Sequence, residues 1–238
     1  MTSVAILVPV LRRPHRVQPL LRSLDGSIDR QQRVWVLFLP DADDEEEIAA
    51  IDAAGEQSVC ATPGATYAEK INLGYQATTA HWLLQAADDL RFHPGWLEYA
   101  LWVAKETNAS VVGTNDLCND RTMRGQHSTH SLVRRAYLDD VGGVIDEGPG
   151  SFMCEQYLHD AADDELVQTA MHRGVYAHAF GSVVEHLHPM CGKGLDDPTY
   201  ELAVQRGGNG QGLRVLRSRA HLWGGDRSEG LRVRRRRR

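Results

Sequence analysis

The 238-residue sequence predicts an α/β fold: a single domain with a mostly parallel sheet and helices on both faces. Three observations carry that expectation. Short continuous apolar runs read as strands buried on both faces. Between them lie segments with apolar residues at helical spacing, so the first half alternates strand and helix. Apolar residues make up 42% of the chain, which supports a real core and excludes disorder as the dominant state.

Each element can be justified in order. Ser3 to Val8 is the first buried strand and ends at Pro9. The basic loop Leu11 to Arg16 follows, where Pro14 can open a helix carrying Val17, Leu20, Leu21 and Leu24 on one face. Gly26 closes it. Arg33 to Pro40 is the second strand, with Asp41, Asp43 and Asp44 directly after it. The helix from Glu45 to Ala54 has acids in its first turn, where the macrodipole favours them. Ser58 to Ala61 is a weak third strand, and Tyr67 to Thr78 a helix. Trp82 to Leu90 is expected as a strand ending in the paired acids Asp88 and Asp89. A helix runs from Pro94 to about Glu106, and Ala109 to Gly113 is a further strand leading to Asn115 and Asp116. After Asn119 the pattern changes. Gly125 to His130 reads as a loop or edge strand, Gly142-Gly143 as a turn, and Phe152 to His172 as a helix broken by Asp160, Asp163, Asp164 and Glu165. Val175 to Val184 reads as a strand pair leading into Glu185 to Pro189. Residues 191–238 are expected to be a flexible Gly- and Arg-rich tail behind a 1–190 domain.

Composition excludes several classes. No run of 18 apolar residues occurs, so no transmembrane helix is expected. The N-terminus lacks a basic start and a cleavage site, which makes a cytoplasmic setting the default. Cys60, Cys118, Cys154 and Cys191 are far apart and read as free thiols. The net charge of −6 hides an asymmetry: from Leu213 onward ten Arg face only Asp226 and Glu229, so the tail carries about +8. The acidic body argues against specific nucleic-acid binding by the folded part, whereas the terminal Arg run suits contact with an anionic surface.

Acids and histidines fall at strand ends rather than on helix faces. Asp41 follows the second strand, Asp88 and Asp89 the fourth, Asp116 the fifth, and His186 and His188 the last. Parallel strands share one C-terminal edge, so these groups can converge there. Carboxylates with imidazole suit a divalent cation, and the histidine tilts the choice toward Mn²⁺ over Mg²⁺.

At these positions the chain resembles the nucleotide-sugar-dependent glycosyltransferases of the GT-A fold (Rossmann-like), in particular the large inverting family two. The opening Val4 to Pro14 is similar to that family's first strand and its Val-Pro-x-x-x-Arg entry. Tyr67 to Tyr75 resembles its Lys-x-Asn-x-Gly helix. Leu84 to Leu90 with Phe92 and Pro94 to Leu97 resembles its metal-binding Asp-x-Asp strand. Ser131 to Tyr137 with Gly142-Gly143 resembles its Arg-Arg…Gly-Gly segment. The resemblance covers about residues 3–190. It implies a nucleoside-diphosphate sugar as donor, with Pro9, Arg12, Asp41, Lys70 and Asn72 around the nucleotide. Asp89, with Asp88 beside it, would hold a metal bridging the diphosphate, and His186 or His188 would be the late metal ligand. Asp163 would be the base of an inverting transfer to an acceptor hydroxyl on a glycan, protein or small molecule. His127 and His130 would line the acceptor pocket. Ala87 departs from the pattern, standing where many relatives carry a third acid. That leaves a catalytically inactive binding module as one alternative. A sugar-phosphate nucleotidyltransferase is another, although Leu11 to Pro14 lacks that class's Gly-rich, Lys-containing loop. With no acceptor domain or membrane segment expected after residue 190, a small soluble transferase is favoured over a processive synthase.

Overall fold

The computed structural model describes residues 2–28, 32–207 and 210–224. Among the described residues eight strands form one mixed sheet: β1 (Ser3–Pro9), β2 (Arg33–Leu39), β3 (Gln57–Ser58), β4 (Trp82–Gln85), β5 (Leu90–Phe92), β6 (Val111–Asn115), β7 (Ser131–Arg134) and β8 (Tyr176–His186). The helices are α1 (Pro14–Leu24), α2 (Glu45–Ala54), α3 (Tyr67–Ala77), α4 (Trp96–Thr107), α5 (Asp120–Met123), α6 (Arg135–Val141), α7 (Ala162–His172), α8 (Pro198–Gly207) and α9 (Gln211–Arg219).

The sheet order is β3-β2-β1-β4-β7-β6-β8-β5. β1 pairs in parallel with both β2 and β4, and β6 in parallel with β8. The exceptions are β7, antiparallel between β4 and β6, and β5, antiparallel to β8. The mostly parallel expectation therefore holds, with two reversed strands.

Alternation along β1 shows why the core has two layers. Val4, Ile6 and Val8 enter one cluster with Val17 and Leu20 of α1 and Trp96, Leu97 and Ala100 of α4. Ala5 and Leu7 enter the other, with Ile71 of α3, Leu138 of α6 and Leu166 of α7. Period-two side-chain placement thus buries both sheet faces under helices. Helix α3 starts at a capping box, in which the Thr66 side chain accepts from Glu69 N and the Glu69 carboxylate from Thr66 N.

Several elements differ from the sequence reading. The run Trp82 to Leu90 is not one strand. It leaves the sheet after Gln85, bends through Ala86 to Asp89, and resumes at β5 on the far edge. Phe152 to Ala161 is not helical. Asn72 clamps this stretch by donating to Met153 O and accepting from Met153 N, and Phe152, Met153 and Tyr157 are buried. The expected strand pair is the single strand β8, irregular between Ala179 and Val183.

Where a flexible tail was expected, α8 and α9 lie on the domain. Val215 and Leu216 pack against the second core cluster, and Arg219 is buried against Glu165 and Asp146. The Arg-rich end, residues 225–238, lies outside the described residues. The cysteine reading also changes. Cys118 and Cys191 form a disulfide across 73 residues, and Cys60 and Cys154 are free. Spacing along the chain carries no sign of a pairing between two loops that only the folded sheet brings together. Among the described residues no helix is long and apolar enough to cross a membrane.

Candidate active site

The C-terminal ends of β1, β4, β6 and β8 open onto one cavity of about 650 Å³. Pro9, Lys70, Asp88, Asp89, Asp163, His186 and His188 all line it, as do His127 and His130. All nine were named as candidates from the sequence.

The acid pair is held by backbone and side chains together. Leu187 N donates to Asp89 O at 2.8 Å, and His186 N donates to Asp116 O at 3.0 Å. His186 Nε2 consequently sits 3.2 Å from Asp89 Oδ2, which also accepts from the Tyr200 hydroxyl at 2.7 Å. Burial pushes the Asp89 carboxyl up, but the hydrogen bond and charge of His186 outweigh it and hold Asp89 well below the usual carboxylate range. His186 moves the opposite way: burial lowers it, and Asp89 lifts it above its ordinary value. Asp88 is raised, first by burial and then by the charge of Asp89. Arg13 lies 3.0 Å from Asp88 Oδ1, but its charge is shared with Asp197.

A second acidic centre lies at the start of α7. His127 is 2% exposed, with Nε2 at 3.2 Å from Asp163 Oδ2 and Nδ1 at 3.5 Å from Asp164 Oδ1. Burial lowers His127, but the hydrogen bond from its ring to Asp163 and that residue's charge prevail and raise it. Burial likewise raises Asp163, and His127 outweighs it, so the carboxyl is lowered. Among the described residues, His127, Asp163 and Asp164 form a group whose potential ligand atoms all lie within 4.8 Å of one another. The two carboxylates address opposite nitrogens of one ring, however. One cation on one nitrogen leaves the other acid on the far side, and Asp164 Oδ1 already meets Arg121 Nη1 at 2.8 Å, so the set is poorly arranged as a chelate.

His130 completes the wall. It is 3% exposed, neither ring nitrogen has a hydrogen-bond partner among the described residues, and its ring packs edge-on to His186 with centroids 5.1 Å apart. Burial first, then the charge of His186, lowers it and keeps it neutral.

Three expected residues stand outside the cavity wall. Arg12 is exposed, its φ is +52°, and its N–H donates to Asp44 Oδ2. The reversed turn at Arg12 sends the next residue inward, and Arg13, 5% exposed, lines the cavity instead. Asp41 sits behind the wall, with Lys70 Nζ 2.5 Å from Oδ1 and Gly64 N donating to Oδ2. Asn72 is engaged with Met153 and Glu155. Arg13, Tyr200 and Tyr67 also line the cavity, Tyr67 donating its hydroxyl to Ala86 O at 3.1 Å, and none of the three was among the expected site residues. Arg13 is adjacent to the residue chosen, and a loop offers no periodicity to phase it. Tyr200 falls in the stretch read as tail.

No family model matches the sequence, and no curated protein sequence matches it. Solved structures match its fold. The chain is similar to TarS 1-349 from S. aureus (TM-score 0.59, 13% identity), covering 77% of this chain and 59% of that one. It is also similar to the mannosyltransferase PcManGT from Pyrobaculum calidifontis in complex with GDP-Man and Mn²⁺ (TM-score 0.60, 15% identity), covering 78% of this chain and 57% of that one. Glucosyl-3-phosphoglycerate synthase from Mycobacterium tuberculosis, in complex with Mn²⁺, UDP-Glc and phosphoglyceric acid, aligns over 94% of this chain and 80% of its own length (TM-score 0.62, 12% identity). The chain thus spans under two thirds of the first two structures' length. At these identities the likeness shows the fold, which is GT-A-like.

Proposed function

We propose that the chain is a metal-dependent glycosyltransferase that moves a sugar from a nucleoside-diphosphate sugar to an acceptor hydroxyl, with inversion. The observation that carries this reading is the meeting of Asp89 and His186 with Asp163 in one cavity at the sheet's C-terminal edge. Solved structures with this fold include complexes with Mn²⁺ and GDP-Man or UDP-Glc, which supports the donor class.

The residues fit a divalent cation. Asp89 offers a hard anionic oxygen, and His186 Nε2 lies 3.2 Å from it, so one ion could replace the shared proton. Asp89 and His186 would hold the ion, with His188 beside them. Bound there, it would supply Lewis-acid stabilisation of the charge that grows on the departing diphosphate. Lys70 and Pro9 would face the nucleotide, and Arg13 the phosphates. Asp163, kept ionised by His127, would accept the proton of the incoming hydroxyl as the new glycosidic bond forms. Attack on the face opposite the leaving group would invert the anomeric carbon. A cytoplasmic setting belongs to this proposal, and reducing systems there would keep Cys118 and Cys191 open much of the time.

A thermal-shift screen of nucleoside diphosphates with and without Mn²⁺ tests the reading. A nucleotide present at 100 times its Kd should stabilise the protein by about 2.7 kcal/mol. Asp89→Asn should remove the metal-dependent part. No metal-dependent stabilisation by any nucleotide would sink the proposal.

A further inference from the structure

Residues 193–200 cross the polar edge of the cavity and engage the groups that a diphosphate and its cation would need. Asp197 Oδ1 accepts from Arg13 Nε at 3.2 Å and Nη2 at 2.9 Å, and Oδ2 lies 3.4 Å from Arg16 Nη2. The Tyr200 ring covers the Arg13 guanidinium, with Cζ 3.9 Å from the centroid. Its hydroxyl donates to Asp89 Oδ2, the oxygen that faces His186.

This carboxylate on two guanidinium groups has the form of an oxyanion contact, and a diphosphate offers the same contact with more charge. A cation cannot reach Asp89 Oδ2 on equal terms while the Tyr200 hydroxyl holds it. Beyond these contacts, the Tyr200 hydroxyl accepts from Arg16 Nη2 at 3.4 Å and its ring lies edge-on to His188 with centroids 4.6 Å apart. Thr199 Oγ1 donates to Leu11 O, and Lys193 Nζ donates to Glu185 and Leu117 O. The segment's large apolar side chain, Leu195, is 86% exposed, so no hydrophobic anchor there resists lifting. Gly192, with φ of +69°, stands at its start as a pivot that L side chains rarely match.

We propose that residues 193–200 are an autoinhibitory strap: Asp197 holds the place of a donor phosphate on Arg13 and Arg16, Tyr200 covers Asp89, and a metal-bound nucleoside diphosphate opens the strap by displacing both. The inference rests on the nucleotide-sugar reading above. A protein closed nine-tenths of the time binds its ligand about tenfold more weakly than the open form, because only the competent fraction binds.

The test is calorimetric titration of a nucleoside-diphosphate panel with Mn²⁺ into wild type, Asp197→Asn and Tyr200→Phe, each first checked for native circular dichroism and melting. The expected result is about tenfold tighter binding in both variants than in wild type. Trypsin cleavage after Lys193 in the wild type should also accelerate when the nucleotide that binds is present with Mn²⁺. Wild-type binding with equal or weaker binding in both variants overturns the strap and leaves the nucleotide-sugar reading standing. Binding by the variants alone supports both. Absence of binding in all three proteins removes the reading and the strap with it. If either variant misfolds, protease accessibility of wild type decides, and unchanged cleavage on binding overturns the strap.

Discussion

Replacing Arg219 by Met should destabilise the protein by about 3–5 kcal/mol, because it strands a buried carboxylate. Glu165 is 1% exposed and accepts from Arg219 Nε and Nη2, both at 2.7 Å. The Tyr157 hydroxyl donates to the same Glu165 Oε2 at 2.7 Å and cannot neutralise the charge. The opposite truncation, Glu165→Leu, should cost less. It leaves Arg219 paired with Asp146 at 2.5 Å, and the Asp146 side chain is 42% exposed, so the remaining pair stays partly solvated. Exchanging both for apolar residues, Arg219→Met with Glu165→Leu, should recover much of the loss, since a buried ion pair is often replaceable by packed hydrophobes. Urea unfolding reads the difference directly. With a slope of about 3 kcal/mol/M, the single Arg219 variant should shift the midpoint by about 1–1.7 M. A shift under about 0.3 M would refute the reasoning. It would mean that α9 does not dock in solution and that the stretch behaves as the tail its composition suggests.

Three further outcomes are expected. Gly143→Ala should fail to fold or lose several kcal/mol, because an added Cβ would stand 2.2 Å from the Phe152 carbonyl oxygen; soluble yield and melting temperature report it. The His127–Asp163 pair should stabilise the fold within a pH window. The raised His127 contributes fully below its unfolded value of 6.5 and loses its contribution as pH rises through the folded value, whereas the lowered Asp163 contributes above 3.8 and loses it as pH falls through the folded value. The stability gap between wild type and His127→Gln should therefore be largest near pH 5 and narrow on both sides, and a gap that does not change with pH contradicts the pairing. Alkylation of the oxidised, denatured chain should modify Cys60 and Cys154 alone, with Cys118 and Cys191 added only after reduction. Four labels before reduction would rule the disulfide out.

The sheet was legible where strands are buried on both faces. Continuous apolar runs such as Ser3 to Val8 admit few other readings, and the acids after them mark a shared edge. The β7 strand was not legible, because Ser131–Arg134 is short, ends in a cation and owes its place to two antiparallel neighbours. The helix α9 was obscured for a different reason. Its arginines look solvated until Glu165, 54 positions earlier, is brought beside Arg219. In the site, the apolar runs before them were enough to bring Asp89 and His186 to one edge, whereas Asp163 came from the family resemblance, since the helix was expected from Phe152 and begins at Ala162. Arg13 was missed by one residue, since the left-handed turn at Arg12 decides which neighbour faces inward. The Asn72 side chain looked like a ligand contact, but it secures a loop that carries no regular periodicity of its own.

The antiparallel register of β5 and β8 sets Leu90 opposite His186, and Leu187 N closes on Asp89 O. The gap between Asp89 and His186 is therefore gauged by peptide geometry and not by the packing of their side chains. Either side chain can be exchanged for another donor without resetting the spacing. Such an edge behaves as a jig: drift or design can change which two side chains face each other across it, while the surrounding sheet registers no change in length.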